Sequence, residues 1–167
     1  MNNSYTETSV KKKVTTGDVL LKLGAWVAIG LIFVAGFLLR FTLLFFVALA
    51  LAAVAYLFLP YLSVTYEYVY CDGQIDFDKI MNGEKRKQLY RTDLDNAVVV
   101  CPADSHELDG YKYNKAAERD YTSRENGRRV YAIVETAGEQ NTILYFEPNE
   151  KMLGMIKQKV PRKFKEY

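Results

Sequence analysis

The stretch VLLKLGAWVAIGLIFVAGFLLRFTLLFFVALALAAVAYLFLPYLSV, residues 19–64, decides the architecture. Lys22, Arg40, Thr42 and Ser63 are the exceptions in an otherwise apolar run, and a chain of 167 residues has no core deep enough to bury it. An α-helix rises about 1.5 Å per residue, so about 20 residues cross the ~30 Å hydrocarbon layer of a bilayer. The run is about twice that length, so it fits two spans rather than one. The first is predicted from Val19 to Leu39 and the second from Phe41 to Leu59, divided at Arg40. Thr16-Gly17-Asp18 precedes the first span, where Asp18 is placed to cap free N–H groups and oppose the helix dipole. Lys22 lies one turn in, and its long stem lets the ammonium reach back to the headgroups. Pro60 stops the second span, and Trp26, Tyr56 and Tyr61 are interface aromatics. The run is too long for a cleaved signal peptide.

Flanking charge predicts the orientation. Lys11, Lys12, Lys13 and Lys22 surround the start of the first span, and Arg40 alone marks the turn. The positive-inside rule then makes residues 1–17 a cytoplasmic tail, 18–62 a transmembrane helical hairpin and 63–167 a cytoplasmic domain. This is a multi-pass protein of the cell membrane with both ends inside. Gly24 with Ala28, and Ala48 with Ala52, are small residues four apart, and they are the candidate helix-packing positions. They serve either to pack the hairpin on itself or to bring copies together as an oligomeric scaffold. No Asp, Glu or His lies in mid-membrane, so nothing there suggests a proton or ion relay.

Beyond Ser63 the pattern changes from helical to alternating. Tyr66, Tyr68 and Tyr70 alternate along one strand, and Cys71-Asp72-Gly73 reads as a hairpin turn. Ile75 and Phe77 mark a second strand, and Asn82-Gly83 a second turn. Lys87 to Arg91 reads as a third strand and Ala97 to Cys101 as a buried one. Ser105 to Leu108 suits a helical turn, Tyr111 to Arg119 a loop, and Tyr121-Thr122 a short strand. Arg129 to Thr136 and Thr142 to Phe146 are strands joined by a turn at 137–140. After Pro148-Asn149, an apolar stripe of Met152, Leu153, Ile156 and Val160 predicts a helix ended by Pro161. The fold class is α+β with a membrane anchor: six or seven antiparallel strands as a roll or barrel, capped by a C-terminal helix.

Paired helices, the tyrosine-rich first strand, the turns at Asp72-Gly73 and Asn82-Gly83, and the closing helix from Asn149 to Val160 together resemble the pleckstrin-homology-like (PH-like) fold in its bacterial form. Four stretches are also similar to a family of small two-helix membrane proteins of anaerobic Gram-positive bacteria, known as a domain of unknown function. They are Ser4-Tyr5-Thr6-Glu7 with the lysines that follow, Asp76 to Met81, Ser105-His106, and Phe146 to Met152. The pleckstrin-like resemblance implies lipid or protein binding and supplies no catalytic residue.

The residues themselves point the same way. His106 is the sole histidine, and its neighbours Ser105, Glu107 and Asp109 do not make a triad, since triad geometry is assembled in space. No nucleophile elbow is present. Cys71 and Cys101 stand apart with no metal-ligand spacing, and they read as reduced, partly buried thiols. Asp76 and Asp78 share one strand face but offer too few oxygens for a cation. No catalytic residue, cofactor or metal is expected. The net charge of +2 argues against a nucleic-acid partner. Two basic clusters are candidate lipid-facing sites: Lys85, Arg86, Lys87 and Arg91 after the second turn, and Lys157, Lys159, Arg162, Lys163 and Lys165 in the tail. The expected function is a non-enzymatic module at the cytoplasmic membrane face that binds a protein partner or anionic lipid headgroups. The alternatives are an oligomeric scaffold or a membrane-bound enzyme.

Overall fold

The computed structural model describes residues 5–59, 64–81, 83, 85–137 and 140–166. The expected helix stop at Pro60, the aromatic Tyr61, Ser63, and the turn residues Asn82, Gly138 and Glu139 lie outside them. The chain divides into two compact units, residues 13–64 and residues 1–12 with 65–167.

The first unit is helical. α1 runs Thr16–Leu38 and α2 Thr42–Phe58. Thr15 precedes α1, and its amide donates to Asp18 Oδ2 at 3.0 Å, so Asp18 acts from inside the first turn. At the other end Arg40 adopts φ 52° and the Phe41 amide donates to Gly36 O at 3.0 Å, which reverses the chain. The helices meet here because Gly36 has no side chain: a Cβ at this position would sit 3.0 Å from Leu44 Cβ. Phe33 and Phe45 pack with ring centroids 4.2 Å apart, and Ala48 is buried beside them. The candidate packing pair Gly24 and Ala28 lies away from this contact between the helices. Both are exposed, and nothing lies within 4 Å of a Cβ built on Gly24.

The second unit is built from eight described strands in two open sheets. β1 (Tyr5–Lys11), β2 (Val64–Cys71), β3 (Gln74–Met81) and β4 (Lys85–Asp93) form one sheet in that order. β5 (Ala97–Pro102), β6 (Ala117–Asp120), β7 (Tyr131–Ala137) and β8 (Gln140–Phe146) form the other, in the order β5-β7-β8-β6. A short α3 (Asp109–Tyr113) precedes β6, and α4 (Glu150–Lys159) follows β8.

Four expectations need correction. Residues 1–17 are not all tail, because 5–11 pair antiparallel with β2 from Tyr5↔Cys71 to Lys11↔Thr65. Thr6 and Val10, four apart on one face, are buried there. The region read as loop at 111–119 holds α3 and β6, and β6 is parallel to β8, so the second sheet is mixed. The described strands do not close into a barrel.

Asp72 and Gly73, with φ 48° and 94°, join β2 to β3 in a tight turn of the type that matches strand twist. The positive φ favours Gly73 there, and a Cβ would also displace the flexible end of Lys159, whose Cε would lie 2.6 Å away. The main core lies between the sheets, where Tyr68, Phe77 and Phe146 pack edge to face with Ile133 and Leu144. Met152 and Ile156 of α4 close it, as the apolar stripe predicts. Asn149 caps α4 by accepting from the Met152 amide at 2.7 Å. Glu135 on β7 joins the sheets: its carboxylate accepts from the Tyr90 hydroxyl and, at 2.5 Å, from Thr92 Oγ1, both on β4.

Candidate functional site

Strand direction sorts the two basic clusters that look alike in sequence. β1 ends at Lys11 and β2 starts beside it, so one end of the first sheet is where the chain leaves for the helices and returns. β3 runs back toward that end and β4 starts from it, with Lys79↔Lys87, Ile80↔Arg86 and Met81↔Lys85 in register. The Lys85-Arg86-Lys87 hairpin therefore stands at the same end of the sheet as Lys11 and Lys12. Together with Lys79 this makes six cations against the carboxylates Glu67 and Asp78 among the described residues, a net of +4.

The tail cluster is elsewhere. Lys159 lies across Gly73, at the opposite end of the sheet, with Nζ 3.4 Å from Asp95 Oδ2. Lys163 Nζ donates to the Asp95 carbonyl at 2.8 Å. Lys157 pairs with Glu166. Backbone bonds tie the segment down: the Val100 amide donates to Lys163 O at 2.9 Å, and the Lys165 amide donates to Val100 O at 2.8 Å. The tail thus covers the outer edge of β5. Its exposed Arg162 and Lys165 stay with this segment, away from the helix-bearing end.

Within the hairpin the cations divide again. Arg86 lies 2.7 Å from both Asp78 Oδ2 and Glu67 Oε2, and so links β4, β3 and β2. Arg91 pairs with Asp76, whose carboxyl is held below its usual range chiefly by that hydrogen bond. These two arginines serve the fold. Lys85 and Lys87 are exposed. Neighbourhood in sequence groups Lys85 to Arg91 together; Lys79 and the link to Lys11 and Lys12 emerge only from strand register.

A groove of about 1270 Å³ lies on another face, lined by Pro102–Glu107, Arg128–Tyr131, α4 and the tail. Its charges have both signs: Arg129 and Lys157 are set against Asp104, Glu107 and Glu166. His106 is fully exposed beside it with Nδ1 3.1 Å from Asp109 Oδ2, on the short turn that Ser105 caps. Cys101 is buried, and burial pushes its thiol pKa up, away from nucleophilic use. Cys71, also a free thiol, is exposed. Among the described residues no cluster of three or more His, Cys, Asp or Glu is placed to hold a metal.

The helical unit shows its apolar side chains outward. Leu20, Leu31, Phe37, Phe46 and Leu49 are between 66% and 73% exposed, far beyond what a water-facing surface carries. α1, with 23 residues, is long and apolar enough to cross a membrane, and α2 is a shorter apolar helix of 17 residues.

Two packed sheets closed by a C-terminal helix, with apolar helices between the first two strands, define a PH-like α+β domain carrying a candidate membrane anchor. The chain belongs to the family described as Bacterial PH-like domain (DUF6106), which matches residues 2–166. The match spans both helices as well as the strands. Comparison with curated proteins and with solved structures gave no match.

Proposed function

We propose that this protein is a two-pass membrane-tethered PH-like module, without enzymatic activity, whose helix-bearing end rests on anionic headgroups of the cytoplasmic leaflet. One observation carries the reading: Lys11 and Thr65 are paired residues of one ladder. Residues that far apart in sequence, held in one sheet, lie on one side of a membrane. The segment between them therefore crosses an even number of times. If α1 crosses, α2 must return. At about 1.5 Å per residue α2 reaches ~25 Å, and Phe41 and Leu59 extend its apolar length toward the ~30 Å required. Local thinning of the bilayer absorbs the remainder.

Lys11, Lys12 and Lys13 then hold both strand ends on the cytoplasmic side. The same connectivity brings Lys79, Lys85 and Lys87 within reach of the surface. Each basic residue near anionic lipid contributes about 1 kcal/mol, and tethering removes most of the entropic cost of contact. The reading assigns this role to the hairpin rather than to the tail cluster, whose Lys159 lies at the far end of the sheet.

Lysine footprinting tests the reading on the full chain reconstituted into vesicles of phosphatidylcholine with or without phosphatidylglycerol. Anionic lipid should protect Lys79, Lys85 and Lys87 from an amine-reactive reagent, and salt should reverse the protection. Lys151, Lys163 and Lys165 should label equally in both. Protection of the tail lysines instead, or no dependence on lipid charge, would reject the lipid-facing assignment.

A further inference from the structure

The helical unit holds an apolar groove of about 1200 Å³ between α1 and α2. Of its lining residues only Arg40 and Thr42 carry a charge or a hydroxyl, and both stand at the turn end. The rest of the lining is apolar, including Gly30, Phe33, Phe45, Ala48 and Ala52. The groove is therefore polarised along its length. From Arg40 back to Trp26, the lining residue farthest along α1, is fourteen residues of α1 and turn, about 21 Å at helical rise, so the groove runs past the middle of the ~30 Å hydrocarbon layer.

Arg40 is itself unusual. Its φ of 52° lies in the left-handed region that favours glycine, and no carboxylate pairs with it among the described residues. A glycine would make this turn with less strain. The arginine supplies a guanidinium at the mouth of an apolar slot, and the fork of a guanidinium suits a phosphate.

The geometry points to a bound phospholipid: an anionic headgroup on Arg40 and Thr42, with one acyl chain laid along the groove past Phe33 and Phe45 toward Gly30. This inference rests on the two-pass reading, which places Arg40 at the outer interface. It adds a second lipid contact, on the leaflet opposite the lysine hairpin, selected by charge at one point and by an apolar slot below it. A second copy of the chain is the competing occupant, and a helix seated in the same slot would leave the guanidinium without an anion.

Native mass spectrometry of the full chain, extracted from membranes holding equal phosphatidylglycerol and phosphatidylcholine, tests it. The wild type should retain one phosphatidylglycerol per monomer, enriched about 5-fold over phosphatidylcholine. Arg40→Lys should keep part of that enrichment. Arg40→Gly should lose it while its melting temperature holds or rises, since glycine suits the backbone there; a purely structural role for Arg40 would lower the melting temperature. Ala48→Phe, which fills the slot, should retain no lipid. The inference is overturned by a lipid-free wild type, by enrichment unchanged in Arg40→Gly, or by copy-to-copy crosslinking of Gly30→Cys. Failure of the underlying two-pass reading shows separately, as absence of outside labelling of Arg40→Cys by an impermeant maleimide.

Discussion

Arg86→Gln separates a cation that holds the fold from the lysines proposed to meet lipid. Its guanidinium stands 2.7 Å from both Asp78 and Glu67, whose side chains are only 8% and 16% exposed, while the arginine is 53% exposed. A hydrogen bond to a charged group is worth ~1.5–3 kcal/mol when buried. Half-exposure of the arginine screens each contact toward the ~0–1 kcal/mol of a surface pair. Two contacts at about 1 kcal/mol each give a loss of about 2 kcal/mol. Part of that arises because two neighbouring carboxylates lose their shared counter-charge. For a domain of about a hundred residues this lowers the melting temperature by ~8–15 °C. Near-ultraviolet circular dichroism of the full chain in detergent reads it through the tyrosines. Asp78→Asn combined with Arg86→Gln should recover more than half of the loss. Lipid-dependent protection of Lys85 and Lys87 should survive in Arg86→Gln at temperatures where it is folded. A shift below about 2 °C together with loss of lipid contact would refute the division of roles.

Other substitutions probe other joints of the structure. Gly36→Leu should push α1 from α2 at Leu44, lowering the stability of the helical unit by ~1–3 kcal/mol, read by hydrogen exchange of residues 30–50 in detergent. Glu135→Ala should cost ~3–5 kcal/mol because it strands the Tyr90 and Thr92 hydroxyls between the sheets; Glu135→Leu with Thr92→Val should cost clearly less, measured by urea unfolding. Burial, and for Tyr90 also the Glu135 carboxylate, pushes the Tyr90 and Tyr145 pKa values up to about 12 from the ordinary 10. A raised folded value means that stability is fully present below pH ~10 and is lost as pH climbs toward ~12. Absorbance at 295 nm should show exposed tyrosines ionising first and these only as circular dichroism collapses, whereas a single step near pH 10 would count against the packing.

Much of the fold was legible from local pattern. The apolar run located α1 and α2, Asp72-Gly73 made its turn, and the Met152–Val160 stripe made α4. What escaped was non-local. The segment Tyr5–Lys11 is mostly polar, and its strand character comes from lying against β2, with Thr6, Thr8 and Val10 turned inward. β6 has four exposed residues and no alternation to read, and its parallel ladder to β8 has no signature in neighbouring residues. Gly36 rather than Gly24 is the close approach because the turn at Arg40 decides where the helices meet. The candidate site was legible as two basic clusters but not as clusters at opposite ends of one sheet. Only the strand directions, which put Lys85 at the end of the sheet where β1 finishes at Lys11 and put Lys159 beside Asp72-Gly73, make that distinction.

On the proposed two-pass reading, the β1–β2 ladder puts both strand ends on one side of the membrane with the turn at Arg40 opposite. Cys71 is exposed at the far end of β2 and Cys101 is buried, so the wild type carries its own reporter. An impermeant maleimide applied to intact cells should leave Cys71 unmodified until the membrane is permeabilised. Ser9→Cys in a Cys71→Ser background should behave identically, and Arg40→Cys in the same background should label at once in intact cells. Labelling of residues 9 and 71 from opposite sides, or of 40 and 71 from the same side, would contradict the account.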